Sequence, residues 1–129
     1  MGSLAEEAAR SGPQEVVAAR LAHWRPTPGF GHPLYPDGDP RARALLGAFP
    51  APAGLGDLSA AVEAATGQRG NVDFALAALA ADLGLPADAP FVLFAVARCA
   101  GWLAHSIEQS ATKSPIRPRA RYTGVAPEV

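Results

Sequence analysis

Cys99 is the single cysteine in 129 residues, so no intrachain disulfide can form and a reducing compartment is the simpler assumption. Net charge is nearly absent as well. Eleven Lys and Arg against twelve Asp and Glu leave −1, which gives no electrostatic reason to expect nucleic acid or an anionic membrane as a partner. The histidines His23, His32 and His105 are dispersed, and with one cysteine they lack the spacing of a metal site, so no metal is implied. Strand-like alternation, internal repeats and low-complexity runs are missing too, which excludes the β and solenoid classes. The longest apolar run, Phe91 to Ala104, is interrupted by Arg98 and is shorter than the roughly 20 residues a membrane span needs, so it reads as a buried helix. The N-terminal Met1-Gly2-Ser3-Leu4-Ala5-Glu6-Glu7 is acidic and has no apolar segment of the signal-peptide kind. The expected address is the cytoplasm.

What is present is the composition of a soluble globular chain, 49% hydrophobic and 18% charged, in a length typical of one domain. Leu4 to Arg10 is rich in Ala and Glu, with Glu6 and Arg10 spaced to pair on a helix. Ser11-Gly12-Pro13 breaks it, and Pro13 opens a second helix through Trp24. Arg25 to Gly38 is too dense in proline and glycine for regular structure and reads as a long structured loop, the kind that usually carries function. Asp39-Pro40 is a cap followed by a first-turn proline, which restarts a helix to Ala48. After a connection over Phe49 to Gly54, helices are expected over Leu58–Thr66, stopped by Gly67, then Val72–Leu83, and then about Ala89 to Ser110. Lys113 to Val129 is a basic, proline-bearing tail. The fold class is all-α.

Four places could carry chemistry. His32 sits in Gly29-Phe30-Gly31-His32-Pro33, where the backbone can approach a ligand closely; taken alone it better fits a surface loop histidine bonded to its own backbone. Arg98 lies in the apolar Phe94-Ala-Val-Ala-Arg98-Cys-Ala-Gly-Trp-Leu-Ala-His105 and calls for an anion, either a ligand or an internal carboxylate. Asp73 falls in the first turn of its helix, where the macrodipole favours a carboxylate, as it would favour an ordinary helix-terminal aspartate. Arg117, Arg119 and Arg121 form a run with Pro118 between the first two and Tyr122 after the last, which suggests a tail held in a fixed path.

In this order and spacing, Gly29-Phe-Gly-His32, Asp39-Pro-Arg41, Asn71-Val-Asp-Phe74, Phe94 to Arg98 with Gly101 to His105, and Arg117-Pro-Arg119 with Tyr122-Thr-Gly124 closely resemble the citrate synthase family, over nearly the whole chain. The resemblance implies part of an all-α citrate synthase-like fold. Residues 1–78 would belong to the small domain, and 79–129 would return to the large domain with the last helix in its core. In that family oxaloacetate condenses with the methyl carbon of acetyl-CoA, and citryl-CoA is then hydrolysed. Carried over, Asp73 is the base that removes the methyl proton, and His32 polarises the oxaloacetate carbonyl. Arg41 and Arg98 bind carboxylates, and Arg117 serves the neighbouring subunit's site in a homodimer. Pro28, Gly29, Phe30 and Gly31 match the segment whose backbone reads the adenine of coenzyme A. No permanently bound cofactor is implied; the CoA thioester is a co-substrate.

The family's enolate-stabilising histidine stands in a Leu-His-Gly-Gly segment that is expected upstream of everything here, as is a second oxaloacetate-binding histidine. Losing one such donor typically costs roughly a hundred- to a thousand-fold in rate. The isolated polypeptide is therefore expected to be weakly active or inactive until completed by an N-terminal partner or a second copy. The acyl donor stays open, acetyl for citrate or propionyl for 2-methylcitrate. So does a different class of role, a non-catalytic binding or oligomerisation remnant that keeps the helices and anion-binding arginines.

Overall fold

The computed structural model describes residues 2–112 and 123–124. It contains α1 (Gly2–Ser11), α2 (Pro13–Ala22), α3 (Pro40–Leu46), α4 (Ala53–Thr66), α5 (Val72–Asp82) and α6 (Ala89–Thr112). The described residues hold no strand, only an isolated antiparallel bridge between Phe30 and Gly70, so the class is all-α as the sequence indicated. By internal contacts the chain forms two compact units, Met1–Ala97 and Arg98–Val129.

The helix ends follow local chemistry. Pro13 opens α2, and Asp39 caps α3, its carboxylate accepting the Arg41 N–H ahead of which Pro40 stands. Gly67 closes α4 in the left-handed conformation at φ 71°, where a side chain would be strained. Asn71 caps α5, its Oδ1 accepting the N–H groups of Asp73 and Phe74. One boundary differs from the sequence expectation: α4 begins at Ala53, not Leu58. The Leu55 and Gly56 amides bond the Pro52 carbonyl, and Leu55 packs against the core, which offsets the helix cost of Gly54 and Gly56.

In the first unit α1 packs on α2 and α4, α2 on α4, and α3 on α5. Leu4, Ala8, Val16, Val17, Phe30, Leu58, Ala61, Val62 and Phe74 form one buried cluster. The ion pair that ties α1 to α2 is Arg20 with Glu7, at 2.8 Å, rather than the expected pairing of Glu6 with Arg10 along one helix.

A larger departure concerns α6. The sequence implied a buried helix, yet none of its residues is buried: Phe91 is 75% exposed, and Val96 and Trp102 are likewise open to solvent. Its apolar faces lack a covering element among the described residues, although the pattern of the sequence demands one. At 24 residues α6 is also long and apolar enough, by length and composition alone, to cross a membrane, which the shorter Phe91–Ala104 run had excluded. An arginine in mid-helix, with Glu108 further on, is costly in a bilayer and weighs against that use.

Candidate functional site

The first unit is pinned together where the loop before α3 meets the turn before α5. The Gly31 N–H donates to the Arg69 carbonyl, the Asn71 N–H to the Gly29 carbonyl, and Asn71 Nδ2 to the Gly31 carbonyl, each at 2.9 Å. Gly29 and Gly31 both have positive φ, 87° and 73°, so glycine is needed for the loop to fold back in this way. Beneath the clamp the Phe30 and Phe74 rings stack at 5.1 Å. A Cβ on Gly70 would lie 2.7 Å from the Phe74 ring, which is buried and pressed against Phe30 and so cannot move aside cheaply. Gly70→Ala is expected to destabilise by roughly 1–3 kcal/mol through this overpacking. The check is a lower urea midpoint with an unchanged slope.

Asp39 is the second fastening. Its side chain is fully buried and accepts four N–H groups. Oδ1 takes the Arg41 backbone N–H at 3.0 Å and Arg41 Nε at 2.9 Å, while Oδ2 takes Arg41 Nη2 at 2.9 Å and the Val72 N–H at 3.0 Å. One carboxylate thus caps α3, orients a guanidinium and holds the start of α5. The side-chain bond from Arg41 is the main reason its pKa falls from 3.8 to about 2, against the opposing effect of burial. The same partner pushes the Arg41 pKa upward, with the Asp73 and Tyr35 charges adding to it.

Because the folded pKa of Asp39 lies below its unfolded value, the associated stability is complete above about pH 4 and fades as pH falls through 2. Its size is on the order of 2 kcal/mol. Urea midpoints of the native chain and of Asp39→Ala, measured from pH 5 downward, are expected to converge near pH 2.

Arg41 is half exposed, and its Nη2 also lies 3.3 Å from His32 Nε2. His32 Nδ1 accepts the Leu34 N–H at 3.1 Å. Arg41 can only donate and a neutral imidazole accepts at one nitrogen only, so the Leu34 and Arg41 contacts compete for the ring's single acceptor and the tautomer decides between them. Tyr35 backs the pair, its ring 4.8 Å from the imidazole and 5.6 Å from the guanidinium carbon. Asp73, one residue beyond the Val72 amide that Asp39 holds, is exposed and close enough for its charge to act on Arg41. A cavity of about 620 Å³ opens over Phe30, Gly31, His32, Tyr35, Asp39 and Arg69.

Of the residues singled out in the sequence, the structure sets His32 against Arg41 and leaves Asp73 near enough for its charge to act on Arg41, although Asp73 lines a different cavity, with Leu76, Ala77 and Phe91. Of the adenine-reading segment, Phe30 and Gly31 line the cavity and Gly29 is buried in the clamp beside Pro28. Arg98 belongs to the second unit, exposed on α6 with its guanidinium over the Gly101 backbone, and Arg117 lies outside the described residues. The sequence reading missed two residues that position the others. Asp39 figured as a helix cap, and both Asp39 and Asn71 as members of the motifs that carry the family resemblance, neither with a positioning role. Groups of His, Cys, Asp and Glu able to hold a metal are absent among the described residues.

Fold and site together define an all-helical segment in which an imidazole and a guanidinium meet beside one cavity while a helix-terminal carboxylate lines another. The family model described as citrate synthase, C-terminal domain, matches residues 1–119. The chain is 41% identical over 123 residues to a citrate synthase of Haloferax volcanii, a match covering 87% of this chain and 32% of that protein. It is 36% identical over 121 residues to citrate synthase 2 of Bacillus subtilis, covering 86% and 32%. A 2-methylcitrate synthase 2 of Corynebacterium glutamicum is 37% identical over 106 residues, covering 74% and 28%. The chain belongs to the citrate synthase family. It spans about a third of the length of the curated relatives it matches.

Proposed function

We propose that this chain supplies one side of the catalytic cleft of a citrate synthase-type acyltransferase, which condenses acetyl-CoA with oxaloacetate and releases citrate and CoA. The observation that carries the reading is the contact of His32 Nε2 with Arg41 Nη2 at 3.3 Å, with the Asp73 charge acting on Arg41. Oxaloacetate has a ketone next to a carboxylate. Arg41 receives the carboxylate through the N–H groups that Asp39 leaves unused, and His32 donates to the ketone oxygen. Asp73 takes a proton from the thioester methyl group. The enolate carbon bonds to the ketone carbon as the oxygen gains the His32 proton, and water then cleaves citryl-CoA to citrate and free thiol.

A thioester methyl proton is far less acidic than a carboxylic acid, so Asp73 needs a donor to stabilise the enolate as it forms. No Leu-His-Gly-Gly segment occurs in these 129 residues. The donor, the remaining carboxylate contacts and the cover for α6 come from a further polypeptide segment, with Arg98 and Arg117 joining the site in that assembly, and a homodimer supplies Arg117 across subunits. Similarity to the Corynebacterium enzyme supports a second acyl choice, propionyl-CoA with 2-methylcitrate as product.

The test is thiol release from acetyl-CoA or propionyl-CoA with oxaloacetate, using this chain alone and mixed with an N-terminal citrate synthase fragment bearing Leu-His-Gly-Gly. Release only in the mixture is the expected result. No release in either, with oxaloacetate still bound, would leave a binding or oligomerisation role.

A further inference from the structure

Asp73 lines a cavity of about 430 Å³ that shares no lining residue with the one over His32. Its floor is the face of α5 on which Leu76, Ala77, Ala80 and Ala81 follow Asp73 at helical spacing. Alanine at all but one of these positions keeps the floor low, and Leu55, Leu85 and Phe91 add apolar walls. A neighbouring cavity of about 380 Å³ shares Ala5, Glu6, Leu55 and Ala81 with it and carries the trough on to Pro52. Asp73 and Ala81 stand about two turns apart, roughly 12 Å along the helix axis, the span of a medium-length alkyl chain.

Charge limits what can enter. Glu6, Asp57 and Asp73 are the charged residues along the trough, and among the described residues no lysine or arginine lines it. A chain ending in a carboxylate would meet like charge, whereas an uncharged alkyl chain gains by leaving water. The chemistry of enolate formation fixes where such a chain begins. A base that removes a proton from the carbon next to the thioester carbonyl holds that carbon against its own oxygen, so whatever else the carbon carries starts beside Asp73. In acetyl-CoA that is hydrogen, and in a longer thioester it is the alkyl chain. Pockets of this volume ordinarily take a whole small molecule, and a hydrogen or a single methyl group would leave this one almost empty.

We propose that the trough beside Asp73 holds the alkyl chain of an uncharged, medium-chain acyl-CoA, so that the completed enzyme forms 2-alkylcitrates. The inference rests on the condensing activity proposed above and names its acyl substrate. With hexanoyl-CoA, Asp73 takes one proton from the carbon next to the thioester carbonyl, and that carbon bonds to the ketone carbon of oxaloacetate. The ketone oxygen gains a proton, and water cleaves the thioester to give 2-butylcitrate and free thiol.

Thiol release from acetyl-, propionyl-, hexanoyl- and succinyl-CoA with oxaloacetate, using the full chain mixed with the N-terminal fragment, tests the proposal. Expected is a kcat/KM for hexanoyl-CoA at least equal to that for acetyl-CoA, with succinyl-CoA at least tenfold poorer than hexanoyl-CoA. Ala77→Phe, which fills the trough from its floor, is expected to lower the hexanoyl-to-acetyl ratio at least tenfold. Leu85→Trp, at an exposed position in a loop, is expected to lower the same ratio and serves should Ala77→Phe fail to fold. Release confined to acetyl- and propionyl-CoA, the result expected if the further polypeptide segment fills the trough, would overturn this inference alone. So would a ratio unchanged in both variants. Release from none of the thioesters would overturn the condensing activity and this inference with it.

Discussion

Asp39→Ala is expected to be the most destabilising single substitution at the site, by roughly 2–4 kcal/mol. The carboxylate it removes is fully buried and accepts four N–H groups from two helices and one side chain. Loss of a helix cap accounts for about 1 kcal/mol. The rest comes from stranding the Val72 N–H and releasing Arg41, and it stays below the full cost of breaking a buried pair because Arg41 is half exposed and can turn to water. For a unit of this size the shift in thermal midpoint is roughly 10–20 °C. Asp39→Asn is expected to recover little. An amide restores volume, but its NH2 would face donors that the carboxylate oxygen now accepts, either Arg41 Nη2 with the Val72 N–H or Arg41 Nε with its backbone N–H. Thermal melts of the three chains side by side decide the matter: an Asn variant as stable as the native chain would mean that shape, not charge, holds the corner.

Asp73→Asn is expected to have the largest effect on chemistry with little on stability. The side chain is exposed and makes none of the clamp's bonds, and the α5 cap is Asn71. Asparagine keeps the size and removes the carboxylate proposed as the base. In a complemented assembly, thiol release should drop by roughly 10²–10⁴, the usual worth of a positioned proton acceptor. Oxaloacetate binding through Arg41 should survive. Because Asp73 also contributes to the raised Arg41 pKa, its neutralisation leaves the guanidinium more available to an anion, so binding that weakens markedly would contradict the assignment. Release unchanged in Asp73→Asn would place the base elsewhere.

How far the residues themselves disclosed this arrangement can be traced to particular features. Helix starts at Pro13, Pro40 and Val72 were readable because capping and proline chemistry act over three or four positions. The start of α4 was not, since Leu55 earns its helical place by packing against a core assembled from distant segments. Arg41, and the roles expected of His32 and Asp73, came from the family resemblance of the ordered motifs, and the contacts 33 and 40 residues apart in sequence that hold their segments together have no local pattern. Asp39 carried a legible local role as a cap. Its second role, on the Val72 amide 33 residues away, has no local signature. Gly70 offered none at all, because the reason for it is the position of the Phe74 ring. The burial expected for α6 failed for the opposite reason: its apolar pattern is written for neighbours that the described residues do not contain.

The double fastening at Gly31–Asn71 and at Asp39–Val72 has a mechanical meaning. His32, Arg41 and Asp73 stand on segments that these bonds join, so loosening either fastening lets the spacing between them change.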